Sequence, residues 1–469
     1  MKILKNYFLK ASLLFGCLLF AFSCKKDETT KLTYTKGEHL LGGKTTVNAQ
    51  GQNAFGHPIP QLKGLDELKF HAGNSMFRNA WVTAPASTTA RDGLGPFFNA
   101  SSCAACHFKD GRGRPPLYDG EKETGFLIRL STPGNGPHGG PIGDPNYGGQ
   151  LQDISINGIT PEAKFHIDYE TIQGTFADGE SYELRKPIYS FSDLGYGAMA
   201  GNMMYSPRVG QQMIGLGLLD ALSDEAILKY EDIADIDNDG ISGKANKVWS
   251  NIDKKTVVGR FGWKANQPNL SEQVLGAFLG DMGITSYLNA DENCTSVQVD
   301  CQNMPNGGTP EITKENADNT ILYAATLAVP QRRNYKDTSV LKGKLLFEKA
   351  NCIGCHKDDY KTTSHFISAL EDVSIKPYSD LLLHDMGDAL ADNRPDYLAN
   401  GKEWRTQPLW GVGLIETVNG HSLLLHDGRA RNIEEAILWH GGEAENSVND
   451  YKNFSKEERQ DLLNFLKSL

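Results

Sequence analysis

Lys2, Lys5 and Lys10 precede an almost unbroken apolar run from Ala11 to Phe22, which stops at Ser23 and Cys24. The run is too short to cross a bilayer and closes on small residues, the pattern of an export signal. Ala21-Phe22-Ser23-Cys24 has the form of a bacterial lipoprotein signal, whose cysteine becomes the acylated first residue. Ordinary cleavage nearby, with Cys24 incidental, is the alternative. Residues 25–56 are rich in Lys, Thr, Gly and Asn and predict a flexible tether to a membrane surface.

Beyond the tether, apolar positions recur at helical spacing in two places. Phe70, Gly73 and Phe77 lie on one helical face, and Gly343 to Phe347 repeats the arrangement, each face carrying a glycine where a second helix can approach. Helices are also predicted at 213–228, 270–279, 432–439 and 456–466. Residues 116–220 differ, being rich in Gly, Pro, Tyr and Asn, with short alternations such as Phe126-Leu127-Ile128-Arg129-Leu130. The pattern predicts a mainly α chain: an N-terminal domain at 57–334, a C-terminal domain at 335–469, and an irregular, partly β insertion between their cores.

The chain has 469 residues, 39% of them hydrophobic and 22% charged, which describes ordinary globular domains. A net charge of −11 argues against nucleic acid and mildly favours a basic protein partner.

Six cysteines lie beyond the signal. Cys103-Ala104-Ala105-Cys106-His107 and Cys352-Ile353-Gly354-Cys355-His356 both read C-x-x-C-H, the haem c attachment signature. Two thiols one turn apart reach the two vinyl groups of one porphyrin, and the next residue offers imidazole to iron. A redox dithiol or a shared zinc site are the alternatives. The first needs no histidine, and the second needs both halves of the chain to converge. Cys294 and Cys301 are expected to close a short disulfide loop, with a free reactive pair as the alternative. Asp235, Asp237 and Asp239, followed by Gly240, open like a calcium loop, although Asn246 stands where an EF-hand has its bidentate glutamate. A solvated turn is the plainer reading.

Gly93 to Ala100, Asp110-Gly111-Arg112-Gly113, Gly259 to Ala265 and His426-Asp427-Gly428-Arg429-Ala430-Arg431 resemble the di-haem oxidoreductase family, sometimes labelled thiol oxidoreductases. More remotely, the chain is similar to bacterial di-haem cytochrome c peroxidases and MauG-type enzymes. The resemblance spans about residue 55 to the C-terminus. It implies two α-helical cytochrome c-like domains, one haem handling hydrogen peroxide and the other accepting electrons from a small redox protein, a cytochrome c or cupredoxin. His107 and His356 are then the proximal iron ligands. His440 falls where the family places the sixth ligand of the second haem, and Met386 is its rival. No histidine follows His107 until His138, so closure of the first haem from just beyond its motif is not expected; His57, His71 and His138 are other candidates for that position. Trp263, Gln273 and Asp281 resemble the peroxidases' tryptophan, glutamine and acid, with Asp281 as acid/base and Trp263 between the haems. The resemblance points to peroxide reduction in a lipid-anchored protein of the cell envelope. MauG-like oxidation of a protein or thiol substrate, and plain electron carriage, are the alternatives.

Overall fold

The computed structural model describes residues 32–469; the expected signal at 1–24, with Cys24, and residues 25–31 of the expected tether lie outside them. Helix α1 (Leu65–Arg78) carries Asp66 and Glu67 in its first turn, where they suit the helix dipole, and buries Phe70, Gly73, Met76 and Phe77. Ser102 caps the single turn α2 (Cys103–Cys106) by accepting from the Ala105 N–H. Strands β1 (Phe126–Ser131) and β2 (Gln150–Leu151) then pair antiparallel. A long hairpin, β3 (Lys164–Thr175) and β4 (Ser181–Ser192), turns at Asp178-Gly179, where Gly179 has φ +89°. Strand β5 (Met204–Val209) completes a three-stranded sheet in the order β2-β1-β5.

Helix α3 (Leu270–Met282) starts on the Asn269 cap and ends at Gly283 in the left-handed region. Thr313 caps α4 (Lys314–Thr326), and α5 (Thr338–Lys349) leads into the second C-x-x-C-H turn. The chain closes with α6 (Ile433–Leu438), α7 (Glu445–Asn453) and α8 (Lys456–Ser468), the last held by a Ser455–Glu458 capping box. Among the described residues no helix is long and apolar enough to cross a membrane.

Both glycine-bearing faces do the same job. A Cβ on Gly73 would overlap the Asn319 carbonyl of α4, and one on Gly343 would overlap the Asp461 carbonyl of α8. Each helix therefore crosses its partner at backbone contact, and each crossing sits beside a C-x-x-C-H turn. Phe77 lies 6.2 Å from the His107 ring and Phe347 lies 6.1 Å from that of His356, centroid to centroid.

The mainly α expectation is corrected. Helix accounts for 28% and strand for 18%, with the strands spread over several small sheets. The reason is local: the helices around the two motifs are few, and most of the remaining chain runs as loops and two- or three-stranded sheets. The 12-residue strands β3 and β4 alternate Phe165, Ile167, Tyr169 with Tyr189, Pro187 across the ladder. The hairpin is fixed along its length where the Tyr189 hydroxyl donates to Asp427, at 3.1 Å, and Arg185 donates to the Arg429 carbonyl, at 2.9 Å. Its tip meets α8 through Arg459 and Glu180, at 2.7 Å. The helix expected at 213–228 is two short ones, Leu216–Asp220 and Asp224–Leu228, because Ser223 caps a fresh start. The described part of the expected tether also differs. Leu41 and Phe55 are fully buried, and Val47 exchanges backbone hydrogen bonds with Val329 and Gln331. A few apolar side chains among polar neighbours suffice to draw it into the core. Cys294 and Cys301 form a disulfide.

Candidate functional site

Around the second motif, Cys352, Cys355, His356, His440, Met386 and Trp263 line one internal cavity. The His356 Nδ1 lies 2.8 Å from the Tyr378 carbonyl, and the His440 Nδ1 lies 2.6 Å from that of Ala436. A carbonyl only accepts, so each ring carries its proton on Nδ1. Burial holds His356 down at about 4 and lowers His440 as well, so both rings are neutral and keep a lone pair on Nε2. Arg405 also lines the cavity; it is 4% exposed, yet its Nη1 has no partner among the described residues.

The first motif repeats this chemistry. The His107 amide donates to the Cys103 carbonyl at 2.8 Å, closing the turn, and its Nδ1 donates to the Gln211 carbonyl at 2.7 Å. A Cβ on Gly210 would stand 3.1 Å from His107 Cε1, so the glycine lets the strand end pass under the ring.

Burial pushes the Cys103 and Cys352 thiols up to about 12, the opposite of a reactive dithiol. All four motif cysteines are free, and among the described residues they form no common metal-sized cluster. Paired thiols beside a neutral imidazole, next to space lined by apolar side chains and a guanidinium with one free nitrogen, are a donor set that fits an iron porphyrin.

Between the motifs runs a continuous set of contacts. The Trp263 indole donates to the Val209 carbonyl at 2.9 Å, two residues before Gln211. Gln211 donates from Nε2 to Gln407 at 2.7 Å, and Arg405 donates to the Gly262 and Gln407 oxygens at 2.8 and 2.7 Å. Arg112 lies over the Trp263 ring at 5.1 Å.

Asp281, near the end of α3, stands beside the first motif: its carbonyl takes the Asn99 and Ala100 amides. Its Oδ1 accepts from Gln150 Nε2 at 2.9 Å, while Oδ2 has no hydrogen-bond donor among the described residues. Gln150 also donates to Asn99 at 2.6 Å, so the acid is held by residues from two other segments. Gln273 is on the same helix but about 12 Å further back along the axis, and its side chain makes no hydrogen bond among the described residues. The structure brings Asp281 and Trp263 to the motifs and leaves Gln273 apart from that cluster. Asp232, Asp235 and Asp237 present oxygens within 4.8 Å of one another, whereas Asp239 turns to the Ile241 amide.

Asn99, Gln150, Gln211, Arg405 and Gln407 were not legible as site residues. Only Asn99 lay within a family-like stretch, and strand pairing or loop packing supplies the others.

The same network ends in a buried acid. Glu162 accepts from the Gln152 amide and from Gln298 Nε2, at 2.7 and 2.6 Å, and burial lifts it from 4.5 to about 8. A raised acid favours the fold fully below its unfolded value and loses that contribution as pH climbs through about 8. Glu162→Gln should therefore flatten the fall in unfolding free energy between about pH 5 and 8 by roughly 3 kcal/mol. Denaturant titrations at several pH values check this, and an unchanged slope refutes it.

Two cysteine pairs, each followed by a ligand-ready histidine and linked through Trp263 and Gln211, define an oxidoreductase organised around two haems. A family model described as "Di-haem oxidoreductase, putative peroxidase" matches residues 34–469, and the chain belongs to that family. No curated protein matches it.

Proposed function

We propose that the protein reduces hydrogen peroxide to two waters at the Cys103–Cys106–His107 centre. It takes two protons and two electrons, and the electrons enter at the Cys352–Cys355–His356 centre from a small redox protein, a cytochrome c or cupredoxin. The observation that carries this is the unequal company of the two proximal histidines. His356 shares its cavity with a second neutral imidazole, His440, whereas the first motif is served by an acid with a free oxygen, Asp281. Covalently attached iron porphyrins supply electron storage and cleavage of the peroxide O–O bond.

In this reading Asp281 Oδ2 takes the first proton from peroxide and returns it to the departing oxygen. Gln150 and Asn99 fix the carboxylate, and Trp263 stands on the electron route. The export and acylation pattern at Cys24 supports attachment at the cell envelope, and Asp232, Asp235 and Asp237 make calcium the natural cation if the loop takes one.

The test uses the mature haem-loaded protein. Its mass should show two porphyrins, its resting spectrum one high-spin ferric haem that responds to peroxide, and reduced cytochrome c should sustain turnover. His440→Ala should convert one low-spin haem to high-spin. Two low-spin haems without peroxide response would leave only electron carriage.

A further inference from the structure

An arginine without a partner among the described residues lies beside the first motif. Arg129, in the middle of β1, stands opposite Gln150 of β2 and Ser206 of β5. Among the described residues its guanidinium has neither a hydrogen bond nor an ion pair, and burial lowers its pKa.

Its neighbours deepen the puzzle. Arg208 and Arg394 both reach the same Asp396 oxygen, at 3.2 and 3.1 Å, with all three side chains at most 6% exposed. Arg394 Nε is buried without a partner, and Arg208 Nε donates to Ser206 Oγ at 3.0 Å. Lys264 is matched by Asp392 at 2.7 Å. Four buried or half-buried cations thus face two carboxylates, and counting Asp281 still leaves positive charge in excess.

Buried charge of one sign is costly unless a counter-charge joins it. The missing partner is an anion, and its chemistry follows from what lies alongside. Gln150, opposite Arg129 across the strands, donates to Asp281 at 2.9 Å, and the Asp281 carbonyl takes the Asn99 and Ala100 amides just before Cys103, so the excess charge and the attachment turn share one neighbourhood. A porphyrin held through its vinyl groups brings two carboxylates on another edge of the ring.

We propose that Arg129, Arg208 and Arg394 form an anion pocket for the carboxylates of the porphyrin attached at Cys103 and Cys106. Planar guanidinium forks suit carboxylates. Arg129 is the member with free donors, and Arg394 Nε offers one more. The inference rests on the proposed function only in taking the first motif as an attachment site.

The experiment is spectroelectrochemical titration of the haem-loaded full chain. Arg129→Met should shift one haem's one-electron equilibrium about tenfold toward the ferric form, about 59 mV, because a cation that offsets the carboxylates is lost. Arg129→Lys, which keeps the charge, should stay within about threefold of the parent. If Arg129→Met does not fold, Arg394→Met, which removes both the free Nε and the charge, should shift the same haem in the same direction. Unchanged potentials for both haems in Arg129→Met, or in Arg394→Met where that variant stands in, overturn the pocket. So does a saturable shift on adding acetate to the parent protein, which would mean an open site for a free carboxylate. A parent mass with one porphyrin would instead overturn the proposed function itself.

Discussion

Asp281→Asn should lower peroxide turnover by about 10²- to 10³-fold while leaving both porphyrins and the resting spectrum intact. The change is small in shape. Asn keeps an Oδ1 for Gln150 Nε2, and the backbone carbonyl still takes the Asn99 and Ala100 amides, so the helix end stays in place. What disappears is the ability to accept a proton at the second oxygen. Pre-steady-state mixing with peroxide reads the effect directly, and Asp281→Glu should recover part of the rate. Equal rates for Asn and the parent would remove Asp281 from the reaction.

The second large effect is on folding. Alanine in place of glycine inside a helix normally stabilises it by about 0.5–1 kcal/mol. At Gly73 and Gly343 the sign should reverse, because the added methyl meets a carbonyl oxygen of the crossing helix and a neighbouring Cβ 2.8 Å away. Overpacking of this kind costs about 1–3 kcal/mol, so Gly343→Ala should melt several degrees below the parent, and Gly343→Val should fail to accumulate. Gly276 on α3 is the control: its nearest outside atom is 3.8 Å away, so alanine there should raise the melting temperature. Parallel melting curves decide it, and a neutral Gly343→Ala would mean the crossing can relax.

The features legible in the sequence are those written locally. Cysteine spacing marks both C-x-x-C-H turns, and the Phe70-Gly73-Phe77 and Gly343-Phe347 faces mark both crossings, because helical periodicity and a bare Cα need no distant information. The strand content is harder. Phe165, Ile167 and Tyr169 do alternate, but the Gly, Pro and Asn around them dilute the signal and turn a 12-residue ladder into apparent loop. Burial of Leu41 and Phe55 is invisible in a segment whose average is polar. Least legible is the setting of Asp281. Its partners Asn99 and Gln150 come from segments well over a hundred residues earlier, joined by packing rather than by any motif.

The two helix crossings close very different lengths of chain. Gly343 meets Asp461 within the C-terminal stretch, whereas Gly73 waits for Asn319, about twice as far along. Closure entropy penalises the longer loop by only about 0.6 kcal/mol, but order of synthesis penalises it more, since α1 stays unpartnered until α4 has been made. The first cysteine pair thus spends longer in unfinished chain than the second, whose crossing closes within the C-terminal stretch.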